Sequence, residues 1–213
     1  MRRTVVVTGS TSGLGASVSQ ALTALGDRVI GVDFAHAEVT ADLSTVTGRL
    51  EGAETTLEVS GGVIHSIVAC AEFHAPKPVS VSVNFFGVTQ FVEALSDVLR
   101  ANRPATVVAL ADHSTQHPVC ENLVAAMLDG DEFKAVLIGQ QLADESIEKG
   151  GFNVSSSKQA LYRWINREKN LKNWAGSGIS LHCVDPSRFE TSPGNRLLLD
   201  YIVSLAHPLH YAV

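Results

Sequence analysis

Three stretches of this sequence carry groups whose types and spacing could do chemistry. The first is Thr8-Gly9-Ser10-Thr11-Ser12-Gly13-Leu14-Gly15. Glycine leaves backbone N–H groups uncovered by a Cβ, so phosphate oxygens can approach closely. The apolar residues that follow at helical spacing would set that anion against a helix N-terminus. The second is Asp33, which ends the short apolar run Val29 to Val32. An acid about 20 residues after such a loop accepts hydrogen bonds from an adenosine ribose and repels a 2′-phosphate. A ligand-free glycine turn and a solvated loop acid are the plain alternatives. Their spacing favours a dinucleotide, with NAD(H) preferred over its phosphorylated form. The third is Asp112-His113-Ser114, an acid, an imidazole and a hydroxyl after an apolar run. A histidine titrates near neutrality. Adjacent residues point in different directions, so loop polarity competes with proton transfer by His113.

Other reactive side chains point to less. Cys70, Cys120 and Cys183 are odd in number and scattered, which suits neither a disulfide framework nor a thiolate metal site. His207 and His210 have no third ligand at helical or hairpin spacing, so no metal is expected. Lys158 and Asn84 read as a solvated helical charge and a helix cap when taken alone.

The elements that would position these groups alternate. Thr4 to Thr8 is a β-branched run that ends at glycine, as a buried parallel strand does. Ala16, Val18, Ala21, Leu22 and Leu25 predict a helix that Gly26 stops, and Val29 to Asp33 predicts a second strand. Val63 to Ala71, Ala105 to Leu110 and Ile179 to Val184 predict further strands, and a short one near Glu38 to Thr40 makes six. Helices are expected from about Asn84 to Arg100 and from Ser157 to Trp174. One or two more fall between Ala111 and Gly151, with Asp131 as an N-cap. This alternation implies an α/β fold, a Rossmann-type doubly wound parallel sheet of about six strands.

Composition bounds the partners. The chain has 213 residues, with Lys plus Arg 16 and Asp plus Glu 22, a net charge of −6. That charge argues against a nucleic-acid or anionic-membrane footprint. With 45% hydrophobic residues and a mean hydropathy of +0.15, the chain can bury an ordinary core. One domain over residues 1–213 is expected, with 111–151 a helical insertion and 192–213 a short apolar tail. No apolar run has the length of a signal peptide's core or a membrane span, so a cytoplasmic protein is expected.

TGSTSGLG, Asp33, Ala41-Asp42-Leu43, the Val83-Asn84 helix start and Ser157-Lys158 together resemble the short-chain dehydrogenase/reductase family. GVDFAHAEVTADLST and the insertion before Ser157-Lys158 are similar to its bacterial 3α-hydroxysteroid dehydrogenase/carbonyl reductase branch. The resemblance spans about residues 4 to 192. It implies NAD(H) held by Gly9, Ser12, Gly13, Leu14, Gly15 and Asp33. Asp42 and Leu43 would lie near the adenine, and Ala69, Cys70 and Ala71 would stand where the family writes Asn-Asn-Ala-Gly. Pro186, Phe189 and Thr191 would fall in the segment that meets the carboxamide and phosphates. It implies Lys158 on the nicotinamide ribose and Asn84 in the catalytic set.

The chain departs from the family where the chemistry is done. The proton-donating Tyr falls four residues before the Lys, and Val154 stands there. The strand that should end in Ser-Ser reads Leu110-Ala111-Asp112, so Ser114 serves only after a shift of two or three residues. Ser187 replaces the glycine after Pro186, and relative to the family pattern a shortened C-terminus is expected. Three readings follow: an NAD(H)-dependent oxidoreductase of small alcohols or carbonyls, possible steroids among them, with a degenerate dyad; a non-catalytic NAD(H)-binding protein; or a truncated relic. A homodimer is expected.

Overall fold

The computed structural model describes residues 2–111, 118–189 and 196–207. Its strands are β1 (Thr4–Thr8), β2 (Arg28–Asp33), β3 (Val39–Thr40), β4 (Ser66–Ala69), β5 (Ala105–Leu110) and β6 (Ile179–Val184). The helices are α1 (Gly13–Ala24), α2 (Val46–Ser60), α3 (Val79–Val81), α4 (Gly87–Ala94), α5 (Ser96–Ala101), α6 (Glu121–Leu128), α7 (Glu132–Glu145), α8 (Ile147–Gly150), α9 (Phe152–Glu168) and α10 (Arg196–Ala206). A π-helical turn, Ser82–Phe86, joins α3 to α4.

The strands form one sheet in the order β3-β2-β1-β4-β5-β6. Every pairing is parallel, for example Val6 with Ile30 and with Ile67. Chain order reverses between β1 and β4. Ligand crevices of doubly wound folds lie at such a switch point, outside the carboxyl ends of the strands. Because strand side chains alternate, Val6, Ile67 and Val107 face one layer, and Val5, Val7, Val68 and Val108 face the other. The first layer is filled by Phe86, Phe91, Leu161 and Trp164. The second is closed by Val18 and Leu22 of α1 and by Leu198, Ile202 and Val203 of α10. Each fully buried aliphatic side chain contributes about 1.5–3 kcal/mol.

Several boundaries differ from the sequence reading. The expected tail holds helix α10, whose Ala206 carbonyl accepts a 2.7 Å hydrogen bond from the buried Ser66 hydroxyl. The helix expected from Ser157 runs instead from Phe152 to Glu168, because its first turns carry buried polar residues, Asn153, Ser156 and Ser157, the first two bonded to residues outside the helix, and so show no apolar periodicity. Asn153, for instance, donates to the Gly139 and Gly150 carbonyls at 3.0 Å each. The helix expected from Asn84 to Arg100 is interrupted at Leu95 and opens in the π-turn, so Asn84 is no helix cap. Only Ser66–Ala69 of the expected 63–71 strand pairs. The insertion carries α6, α7 and α8, and Asp131 caps α7 by accepting from the Lys134 amide at 3.0 Å.

Candidate active site

The glycine loop follows β1 directly. Gly9 has φ +68°, and a Cβ there would sit 2.8 Å from the Ala71 nitrogen. A Cβ on Gly15 would lie 2.1 Å from the Gly9 carbonyl oxygen. These two glycines let the loop fold against itself and against the end of β4. Gly13, at φ +52°, meets nothing within 4 Å of where its Cβ would be. Ser12 precedes α1 in extended conformation, its side chain makes no capping hydrogen bond, and the first turn carries no acid. The positive end of α1 therefore opens into a cleft of about 800 Å³. That donor set fits a diphosphate.

Asp33 stands beside this loop. Its carboxylate accepts hydrogen bonds from the Thr11 amide (3.0 Å), the Thr11 hydroxyl (2.7 Å) and the Phe34 amide (2.8 Å). The loop that would take the phosphates thus also aims the acid. Asp42 lines the same cleft and accepts from the Ser44 amide at 2.9 Å, while Leu43, Cys70, Ala71 and Leu110 supply apolar wall. Ala69 is buried in the adjoining core, one residue before Cys70. Burial pushes the Cys70 thiol up to about 12, assisted by Glu72, so it carries no thiolate.

A second cleft, of about 760 Å³, is lined by Ala111, Phe152, Val154, Ser155, Lys158 and Asp185 among others. The two clefts share Glu72, His74 and Pro186. At this junction the Lys158 ammonium is paired with a Glu72 carboxylate oxygen and donates to the Leu110 carbonyl at 3.2 Å. The other Glu72 oxygen lies 2.8 Å from His74 Nε2. Burial raises the Glu72 carboxyl, but the hydrogen bond from His74 and the charge of Lys158 outweigh it and hold the group below the usual carboxylate range.

Asn84 braces this triad from beneath. Its Oδ1 accepts from the Phe73 amide at 2.8 Å, and its Nδ2 donates to the Phe73 carbonyl at 3.0 Å and to the Ser157 hydroxyl at 3.3 Å. Both backbone polar groups of Phe73, the residue between Glu72 and His74, are thereby fixed.

Of the residues singled out in the sequence, the structure brings Gly9, Ser12, Gly13, Leu14, Gly15, Asp33, Asp42, Leu43, Cys70, Ala71 and Pro186 around one cleft. Lys158 faces the neighbouring cleft. Phe189 stacks on Tyr201 of α10, with ring centroids 5.6 Å apart. His113, Ser114 and Thr191 lie outside the described residues. Glu72 and His74 were missed; the available signal was an acid standing where Asn-Asn-Ala-Gly ends in glycine. Among the described residues no group of acids, histidines and cysteines could hold a metal ion, and His207 is hydrogen-bonded to Asp27 at 2.8 Å.

A parallel sheet in this strand order, with a glycine loop and an acid framing the switch-point cleft, defines a Rossmann-type nucleotide-binding protein. Comparison with known proteins gives the family. The chain is 31% identical over 192 residues to the 3-alpha-hydroxysteroid dehydrogenase/carbonyl reductase of Comamonas testosteroni, an alignment covering 88% of this chain and 73% of that one. It superposes with a TM-score of 0.84 on the 3-alpha-hydroxysteroid dehydrogenase of Pseudomonas sp. B-0831 complexed with NADH, at 30% identity and covering 99% and 91% of the two chains. A Brucella ovis oxidoreductase of the short-chain dehydrogenase/reductase family, with a partially ordered NAD, matches in fold at TM-score 0.69 and 17% identity, covering 100% of this chain and 96% of that one. No protein-family model matches the chain. The chain belongs to the short-chain dehydrogenase/reductase family.

Proposed function

We propose that this protein is an NAD(H)-dependent oxidoreductase of alcohol and carbonyl substrates, steroids among the candidates. The observation that carries the reading is the junction of two clefts. One is framed by a phosphate-type cradle and a ribose-type acid, the other is largely apolar, and they meet at Glu72, His74 and Pro186. When bound, NADH supplies a hydride. The residues of the chain would do the rest: the α1 N-terminus takes the diphosphate, Asp33 the ribose hydroxyls, and the wall of Phe152 and Val154 an apolar substrate. Among the described residues, no arginine or lysine lines the cleft beside Asp33 to accommodate a 2′-phosphate, which supports NADH over NADPH.

Val154 favours a second reading, a protein that binds NAD(H) without turnover, since valine carries no proton. One experiment separates them: calorimetric titration with NADH, beside a screen of ketones, aldehydes and steroid carbonyls. Binding with turnover supports the oxidoreductase, binding without turnover the second reading, and no binding refutes both. We read the protein further as a cytoplasmic homodimer, which sedimentation at tens of micromolar by order of magnitude tests; a monomer there refutes the dimer.

A further inference from the structure

We propose that His74, held against Glu72 at the junction of the two clefts, gives and takes the proton at the substrate oxygen. This rests on the oxidoreductase reading above. Carbonyl reduction needs two things at the C=O group, a hydride at carbon and a proton at oxygen. The carbon–hydrogen bond is made with the hydride that NADH supplies. The C=O π pair becomes an oxygen lone pair, and that lone pair takes the proton from the imidazolium, leaving neutral His74 and an alcohol. Water restores the imidazolium, for the His74 side chain is 66% exposed. In alcohol oxidation every transfer reverses.

Among the described residues, most of the other groups at the junction are committed or have no proton to give. Val154 has no proton to give. The Lys158 ammonium is engaged by Glu72 and by the Leu110 carbonyl. Glu72 is ionised at neutral pH and accepts. Cys70 is a buried neutral thiol. Asp185 accepts from both the amide and the hydroxyl of Ser187, at 3.0 and 2.7 Å. Glu148 also lines the second cleft, and Asp33 and Asp42 line the first. With Nε2 held by the carboxylate, Nδ1 is the nitrogen that exchanges its proton, the arrangement in which an acid orients an imidazole and stabilises its charged form. Asn84 acts here as a positioning residue, because two of its hydrogen bonds hold the amide and the carbonyl of Phe73, the residue between Glu72 and His74.

The test has two arms. In the first, His74→Gln lowers kcat for carbonyl reduction about 10²-fold or more, the scale of general acid catalysis, and leaves the NADH Kd and the carbonyl KM within about twofold. The parent rate falls as pH rises through the imidazole midpoint, and the variant loses that limb. In the second arm, Glu72→Gln withdraws the carboxylate that orients the ring. It lowers kcat in the parent but changes little further in the His74→Gln background, because it acts through His74. A His74→Gln protein with parental kcat and pH profile overturns the proposal. So does a Glu72→Gln loss of equal size in both backgrounds, and so does a parent that binds NADH and reduces nothing, which leaves cofactor binding standing. A parent that binds no NADH overturns the oxidoreductase reading itself.

Discussion

Arg49 is 1% exposed, and its guanidinium ties three helices to the loop that walls the first cleft. It donates to the Leu43 carbonyl and to Gln90 Oε1, both at 3.0 Å, and is paired with Glu132 on α7. Glu132→Ala leaves a buried cation with neutral partners only. Orphaning one member of a buried pair costs about 3–5 kcal/mol. The Glu132 side chain keeps 20% exposure, so water reaches the site and the lower end, about 3 kcal/mol, applies. For a chain of this size that lowers Tm by roughly 6–12 °C. Arg49→Met removes the charge instead and strands the Leu43 carbonyl and Gln90, at about 1 kcal/mol each. The double variant should therefore be more stable than the sum of the two losses predicts, by about 1–3 kcal/mol. Urea denaturation of the four proteins, with equal m-values as the check on two-state behaviour, measures this coupling. A Glu132→Ala loss under about 0.5 kcal/mol, or strict additivity, refutes the view that this pair is a buried and mutually dependent unit.

Asp33→Ala should weaken NADH binding and improve NADPH binding, narrowing the preference by roughly fivefold to several hundredfold, because a charge pair near 4 Å at a half-exposed site is worth between about 1 and 4 kcal/mol; unchanged discrimination by calorimetry would assign the acid another role. Val154→Tyr should restore part of the carbonyl reduction lost in His74→Gln, since a phenol one helical turn from Lys158 supplies the missing proton; a double variant no faster than His74→Gln counts against it. Glu72 has a depressed folded-state pKa, so its contribution to stability is full above the unfolded value of about 4.3 and is lost as pH falls through the folded value. Acid unfolding should then show parent and Glu72→Gln converging below about pH 4, and a gap that widens there would reverse the sign of the argument.

The sheet was legible because β1, β2 and β5 are short runs rich in β-branched residues, and β6 is a short run bounded by Gly178 and Asp185. Even the two-residue β3 showed in Val39-Thr40. Helix α2 left no such trace. Its buried face is Arg49, Gly52, Ala53, Thr56 and Ser60, so small and polar residues occupy the positions where periodicity would show apolar ones. Gly52 is there because a Cβ would come within 2.6 Å of the Ala41 side chain. The cofactor-side residues were legible because a glycine loop and its acid lie on contiguous, local stretches. The Glu72-His74-Lys158 triad was not, since it joins residues 86 positions apart through a pairing that only the folded sheet creates. Asn84 was legible as a residue of interest, but its grip on Phe73 depends on the π-turn, which no spacing announces.

The position of α10 has a consequence for synthesis on the ribosome. The second face of the sheet is assembled from Val5, Val7, Val68, Val108 and Val184, all made before the residues that shield it, Leu198, Ile202, Val203 and Ala206. Until α10 has left the ribosome and docked, that face has only α1, through Val18 and Leu22, to cover it, an aliphatic stripe open to chaperones and to neighbouring nascent chains.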